Sequence, residues 1–368
     1  MVTIDGDEIV SGSTIDGDEI SEITMDGDVV WVAMTEITSL DWSTSLFPAF
    51  TDYQVVLDGA VLMGSNDNAV IEVLNTSNGS TNWTDSLSGE DVNQVSTDGT
   101  RFFVGTGDSG EISAYSSSGT NEWTDSSSGR NGASCEPGWN YVYSMSSNDS
   151  PRVKGLNRSN GDTEVSFGGS GFNQDAVAED PNISRVYRTE NRSSGTDEYI
   201  EQYDFSGNQQ WDTSIDDRNR GIIKPYIEQG DAYVATQAGT TYRIDGSNGD
   251  IKWSDTVSGV DNDRWIDYNN DGVFIGFDAG VAHYNHSGTL QWERTSGTSY
   301  RTGFSLIDDQ QHIIFHVDNT FKQVDYTSNT EIASVSLDND AAHALVDTTN
   351  NKVVGIGGDG VASGVNFE

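Results

Sequence analysis

Positive charge is what this sequence has least of. Eighteen lysines and arginines stand against 59 aspartates and glutamates, a formal net charge of -41. Only five of the cations are lysines: Lys154, Lys224, Lys252, Lys322 and Lys352. Non-specific nucleic-acid binding needs clustered cations, so that class is excluded. Cysteine is nearly absent as well. Cys135 stands alone, so no internal disulfide forms. No run of 18 apolar residues occurs, which excludes a membrane-spanning helix. The N-terminus is acidic and shows no basic segment followed by an apolar one, so no signal peptide is expected. No window of eleven or more residues carries a helical period. Nucleotide fingerprints, phosphate loops and Ser/His/acid arrangements are missing too.

The acid is spread along the whole chain and is not gathered in a tail. In dilute buffer such like charge opposes compaction. At molar salt the Debye length falls to roughly 3 Å and most of the repulsion is screened. The composition is that of a protein from a salt-accumulating halophile. Low hydrophobicity and high charge also describe disordered chains. The nine Trp, fourteen Tyr and thirteen Phe, regularly placed, argue for a folded one.

A repeat organises the chain from about residue 35 onward. SNGSTNW ends at Trp83, SSGTNEW at Trp123, SNGDTEV at Val165, FSGNQQW at Trp211, SNGDIKW at Trp253 and HSGTLQW at Trp292. A degenerate copy, TSNTEIA, ends at Ala333, and EITSLDW places Trp42 ahead of the series. The spacings are 41, 40, 42, 46, 42, 39 and 41 residues. A period near 40 with one aromatic per unit marks propeller blades. Within a unit, four- to six-residue runs rich in Val, Ile, Tyr, Thr and Trp lie between Gly, Asn and Asp, the pattern of short strands. The glycine before each tryptophan supplies a positive φ. The indoles of Trp42, Trp83, Trp123, Trp211, Trp253 and Trp292 then dock between blades. His343–Thr348, Lys352–Gly357 and Val361–Phe367 form a last blade lacking its fourth strand. Leu40–Phe47 is a fourth strand lacking its blade, and joining the two closes a ring without an open edge. The fold expected is therefore an all-β propeller of about eight four-stranded blades over 35–368, with seven as the alternative if the 46-residue unit or the last units are misread. These units resemble the tryptophan-docking repeats of quinoprotein-like propellers. That resemblance implies a fold more than a function. Quinone-dependent dehydrogenases on this fold use a vicinal disulfide, which one cysteine cannot form. Neither an enzyme nor a cofactor is expected.

Metal ligation has weak candidates. His312 and His316 share a strand face, but zinc needs further ligands. His283 and His286 straddle a turn. Asp261, Asp263 and the stretch Asn269–Gly272 offer oxygen ligands for calcium, in a chain where acidic clusters arise by chance. Eight Asn-x-Ser/Thr triplets occur, at Asn75, Asn78, Asn82, Asn148, Asn157, Asn182, Asn191 and Asn285.

Residues 1–34 are different. TIDGDEI occurs at Thr3–Ile9 and again at Thr14–Ile20, and TMDGDVV follows at Thr24–Val30. Each Asp-Gly pair reads as the turn of a short β-hairpin. The run Glu22, Ile23, Thr24, Asp26, Gly27, Asp28 and Val30 resembles leaders on structural proteins of tailed viruses, including those infecting haloarchaea. That resemblance implies an attachment motif at Asp5, Gly6, Asp16, Gly17, Asp26, Gly27 and Trp31, joining other virion structural proteins. It also implies a virion-surface tail fibre, tail tip or head decoration, oligomeric on the particle, whose propeller binds a host surface glycoprotein or glycan. Two alternatives stand beside it: a cellular quinoprotein-like scaffold for protein assembly in a haloarchaeon, and an enzyme degrading surface polysaccharide.

Overall fold

The computed structural model describes residues 14–15, 18–19, 22–25, 28–32, 36–46, 54–64, 70–87, 91–107, 110–126, 131–146, 152–168, 173–191, 198–215, 222–236, 238–257, 265–277, 280–295, 303–307, 311–317, 319–337, 343–356 and 361–367. Everything described is strand, turn or loop. Eight antiparallel sheets of four strands each follow one another along the chain. Blades one to seven are continuous, running over 54–86, 92–126, 131–167, 173–215, 222–256, 265–295 and 304–336. Blade eight is composite. Leu345–Asp347, Lys352–Ile356 and Val361–Phe367 supply three strands, and Ile37–Ser45 from the front of the chain supplies the fourth. Each sheet packs against the next, and the eighth packs against the first. The ring is closed with eight blades, and the seven-bladed alternative is removed. The 46-residue unit is an ordinary blade with long strands of eight, seven, seven and seven residues.

The alternation of burial explains the layering. First strands of neighbouring blades touch one another around the axis. Second strands such as Ala60–Gly64, Asp231–Ala235 and Val273–Phe277 are buried throughout, as strands covered on both faces must be. Fourth strands such as Thr81–Ser86 and Gln209–Ile215 are mostly exposed, with their polar residues in water. The meander puts the turns between first and second strands, and between third and fourth strands, at one end of the ring. The remaining connections lie at the other end.

Turn glycines before the repeat tryptophans have positive φ: Gly79 69°, Gly119 87°, Gly161 76°, Gly207 81°, Gly249 81° and Gly288 85°. In the degenerate seventh unit Asn329 takes that place at 55°, the non-glycine residue type that best tolerates the left-handed region.

Ahead of the ring, Thr14–Ile15 pairs with Asp18–Glu19, and Glu22–Met25 pairs with Asp28–Val32. Asp16, Gly17, Asp26 and Gly27 lie outside the described residues. The first copy, with Asp5 and Gly6, lies outside the described residues. So do Asp261 and Asp263.

Candidate functional site: the acidic mouth of the ring

The repeat tryptophans set the frame on which any site is built. Each indole Nε1 donates to a carbonyl in the third-to-fourth-strand turn of the following blade. Trp42 reaches Thr76 at 2.8 Å, Trp83 reaches Ser117 at 2.9 Å and Trp123 reaches Arg158 at 3.0 Å. Trp211 reaches Gly246 at 3.0 Å, Trp253 reaches His286 at 3.0 Å and Trp292 reaches Tyr326 at 2.7 Å. Except for Trp292, whose next blade has Asn329 there, the ring also lies against the turn glycine of that next blade. A Cβ on Gly79 would fall 2.4 Å from Trp42, and one on Gly288 would fall 2.6 Å from Trp253. One glycine thus provides both the turn and a bare surface for the preceding blade's indole. The second role is not visible within a single repeat, because glycine and indole come from different repeats.

At the end of the ring carrying these turns, a cavity of about 710 Å³ opens among blades three to seven. Its wall is acidic. Glu136 comes from the first turn of blade three, Glu179 from the first strand of blade four and Glu228 from the first turn of blade five, while Asp267 and Asp271 come from blade six. One cation, Lys224 on the first strand of blade five, enters this set. Its Nζ lies 2.9 Å from both carboxylate oxygens of Glu136 and 3.5 Å from Asp267. Burial works against the ammonium, but Asp267 and Glu136 outweigh it and raise the lysine pKa above its ordinary value. Lys224 therefore stays charged and ties three blades together across the mouth.

Glu179 is a second tie. It is 1 % exposed and accepts from Asn140 N and Nδ2, each at 2.6 Å, and from the Tyr143 hydroxyl at 2.8 Å. Several donors converging on one carboxyl group make a directional tie. Blade four thus fixes the first turn of blade three, which carries Glu136 and Trp139 to the cavity. The Ile227 amide donates to Tyr268 Oη at 3.2 Å and links the turns of blades five and six. Burial raises the Tyr268 phenol pKa. Asn269 Oδ1 accepts from Asp271 N at 2.9 Å and Gly272 N at 3.3 Å, a side-chain-closed turn that accounts for the Asn269–Gly272 stretch.

Large exposed apolar side chains gather at this same end. Among the described residues they are Ile183, Ile227, Ile251, Leu290 and Ile332. Ile183 and Ile227 sit in the first turns of blades four and five, beside Pro181 and Glu228 of the cavity wall. Ile251, Leu290 and Ile332 stand at the start of the fourth strands of blades five, six and seven.

Histidines do not converge. His283 is buried and stacked on Phe274 at 4.2 Å. His286 Nδ1 meets the Tyr233 hydroxyl at 2.6 Å. His312 Nδ1 meets Gln323 Nε2 at 2.9 Å, and His316 packs edge-on against Phe321. Among the described residues no three His, Cys, Asp or Glu side chains form a group able to hold a metal ion. Cys135 is buried, its Sγ donating weakly to the Tyr141 carbonyl at 3.5 Å, and burial pushes its pKa up, away from the reactive thiolate. Sequence reasoning did not find the site. The available signal was Lys224, one of five lysines in so acidic a chain.

Architecture and docking geometry define a tryptophan-docked, eight-bladed propeller. The chain belongs to the family described as outer membrane protein assembly factor BamB, whose model matches residues 16–182 and 196–317. No curated protein sequence matches it. Solved structures share the fold. BamB from Moraxella catarrhalis is 17% identical, with a TM-score of 0.66 over 90% of this chain and 100% of that one. The computationally designed Ika8 protein is 13% identical, with a TM-score of 0.69 over 90% and 100%. Saccharomyces cerevisiae Sqt1 is 12% identical, with a TM-score of 0.69 over 89% and 98%. The family's description is that of an assembly factor.

Family membership corrects the reading drawn from the leader. The family match begins at residue 16, inside the second hairpin copy, and takes in the third. Asp16, Gly17, Asp26, Gly27 and Trp31 thus belong to a stretch matched by a propeller family, while Asp5 and Gly6 precede it. The virion-surface function, the virion and host-glycan partners, the oligomer on a particle and the virion location fall. The error has a physical source. Asp-Gly between alternating residues is general hairpin chemistry, compatible with many proteins.

Proposed function

We propose that this chain is a BamB-like propeller scaffold for protein assembly at the envelope of a salt-accumulating cell, and that partners dock on the acidic mouth of blades three to seven. The observation carrying the proposal is the coincidence, at one end of the ring, of the lysine-bridged acidic cavity and the five exposed apolar side chains. Isolated exposed apolar residues are ordinary, but Ile227 on the wall of a concave, polar-lined opening, with Ile183 in the neighbouring first turn, suits a protein interface. In molar salt, charge acts only at contact range. A partner would gain from apolar contact with Ile183 and Ile227 and from a cationic group placed against the carboxylates. Residues 1–34 are proposed as a separate β-hairpin segment and 35–368 as the propeller.

The test is site-specific photo-crosslinking in producing cells. A photoreactive residue at Ile227 sits at the mouth. One at Ala238, in the second turn of blade five, is exposed at the opposite end and serves as control. Crosslinks from position 227 to an envelope-protein assembly complex, with none from 238, are expected. Equal crosslinking from both positions, or none from 227, overturns the docking assignment.

A further inference from the structure

The Asn-x-Ser/Thr triplets are not equivalent once folded. Asn75, Asn157 and Asn285 hold one structural place, at or just past the end of the third strand of their blades. Their Oδ1 atoms accept from the serine two residues on. The amides of Ser77, Ser159 and Ser287 donate at 2.9, 2.9 and 3.1 Å, and their hydroxyls at 2.6, 2.6 and 2.8 Å. Aspartate does the same elsewhere in the ring. Asp245 accepts from Ser247 N and Oγ at 2.8 and 2.6 Å, and Asp325 accepts from Thr327 N and Oγ1 at 2.8 and 2.8 Å. Because aspartate serves interchangeably, these three triplets are turn chemistry. Their hydroxyl and amide oxygen are already bonded to each other.

Asn78 differs. It is exposed, in the turn of blade one, and its Oδ1 accepts only the Ser80 amide at 2.9 Å. The matching asparagines of blades three and five, Asn160 and Asn248, donate Nδ2 to Asp162 and Asp250 at 2.7 Å. Blade one has Ser80 in place of that aspartate. The substitution both creates the triplet and leaves Asn78 Nδ2 without a bond among the described residues. Asn182 also differs. It is exposed, in the first turn of blade four, where its backbone N–H donates to Asp180 at 3.0 Å and its side chain makes no bond among the described residues. Asn82 is exposed too, but it lies inside the strand Thr81–Ser86, paired along Val70–Asn75 and anchored by Trp83.

We infer that the folded chain presents Asn78 and Asn182 as acceptors for N-linked glycan and withholds Asn75, Asn157 and Asn285. The co-reactants are an oligosaccharyltransferase and a lipid-phosphate-linked oligosaccharide. Nδ2 attacks the anomeric carbon and forms an N–C bond. The bond from that carbon to the phosphate oxygen breaks, the lipid phosphate leaves with the electron pair, and the amide proton passes to a base of the transferase. The inference rests on the envelope reading only for how the chain meets the transferase.

The test keeps the two apart by working in vitro. The folded full-length protein in molar salt is treated with a purified single-subunit oligosaccharyltransferase and its lipid-linked donor, then mapped by glycopeptide mass spectrometry. Free peptides spanning Asn78, Asn157 and Asn182 are run first, and a transferase that modifies all three is used. Glycan on Asn78 and Asn182 and none on Asn75, Asn157 or Asn285 is expected. Asn78→Gln and Asn182→Gln should each remove one mass increment, and the double variant both. Absence of glycan from either proposed acceptor, or glycan on any of the three bonded asparagines of the folded protein, overturns the inference. Failure of the crosslinking experiment would leave this result standing.

Discussion

Glycine 364 should be intolerant of a single added methyl group, and only because of Trp42. Gly364 lies on the last strand of the chain, opposite Trp42 in the composite blade. A Cβ there would stand 2.2 Å from indole Cε2, 2.3 Å from Nε1 and 2.6 Å from Cζ2. Gly79 of blade one closes the opposite side, its would-be Cβ 2.4 Å from the same ring. Trp42 is 9 % exposed in this slot and cannot move aside without losing its bond to Thr76 O. Overpacking costs about 1–3 kcal/mol, and the lost indole hydrogen bond adds about 1 kcal/mol. Gly364→Ala should therefore destabilise by about 2–4 kcal/mol. Trp42→Ala alone should cost about 3–5 kcal/mol through the cavity left behind. In the Trp42→Ala background the three atoms nearest the new methyl are gone, and alanine in a strand is favoured over glycine by about 0.5–1 kcal/mol. The second substitution should then be neutral or mildly stabilising, a coupling of about 2–4 kcal/mol or more. Equilibrium urea unfolding of the four proteins in molar KCl measures it. If Gly364→Ala costs the same with and without the indole, Trp42 does not fill the slot between the eighth and first blades.

Glu179→Ala should strand the Asn140 amide and Tyr143 hydroxyl and cost about 3 kcal/mol; a urea midpoint unchanged from the parent would contradict the tie between blades three and four. Burial lowers the His283 pKa to about 4 from an ordinary 6.5, despite the opposing pull of Asp271. Because the folded pKa is the lower one, the unfolded chain binds the extra proton. This contribution is present in full above about pH 6.5 and is lost as pH falls towards 4, at up to about 1.4 kcal/mol per pH unit. His283→Phe should flatten that part of the stability–pH curve, and an unaltered slope would remove His283 as its source. Raising KCl from 0.1 M to molar levels should raise the melting temperature as the screening length shrinks from about 10 to about 3 Å; calorimetry showing no rise would mean that the -41 charge does not limit stability.

Lys224 sharpens the docking proposal. It occupies the mouth as an internal cation, so Lys224→Met should strengthen binding of a cationic partner segment at the expense of the cross-mouth tie. Weaker binding without loss of fold would show instead that the lysine orders the carboxylates for the partner.

The blades were legible because their cause is local. A two-residue period, a glycine with positive φ and an aromatic four residues on are all written within one repeat, and Trp83, Trp123 and Trp253 repeat the message. Closure was legible too, since three strands without a fourth and a fourth without three leave one low-energy pairing. The leader misled because Asp-Gly hairpins are equally local and carry no information about partners. The mouth was not legible at all. Glu136 and Asp267 are separated by three blades of chain and approach Lys224 only when the ring closes. Local backbone chemistry thus determined strand and turn from the sequence alone and put the blade number at eight or seven; the closed ring decided eight. Which charges and exposed isoleucines share one end of the ring was decided by the tertiary structure, because that proximity is a property of closure and of no single repeat.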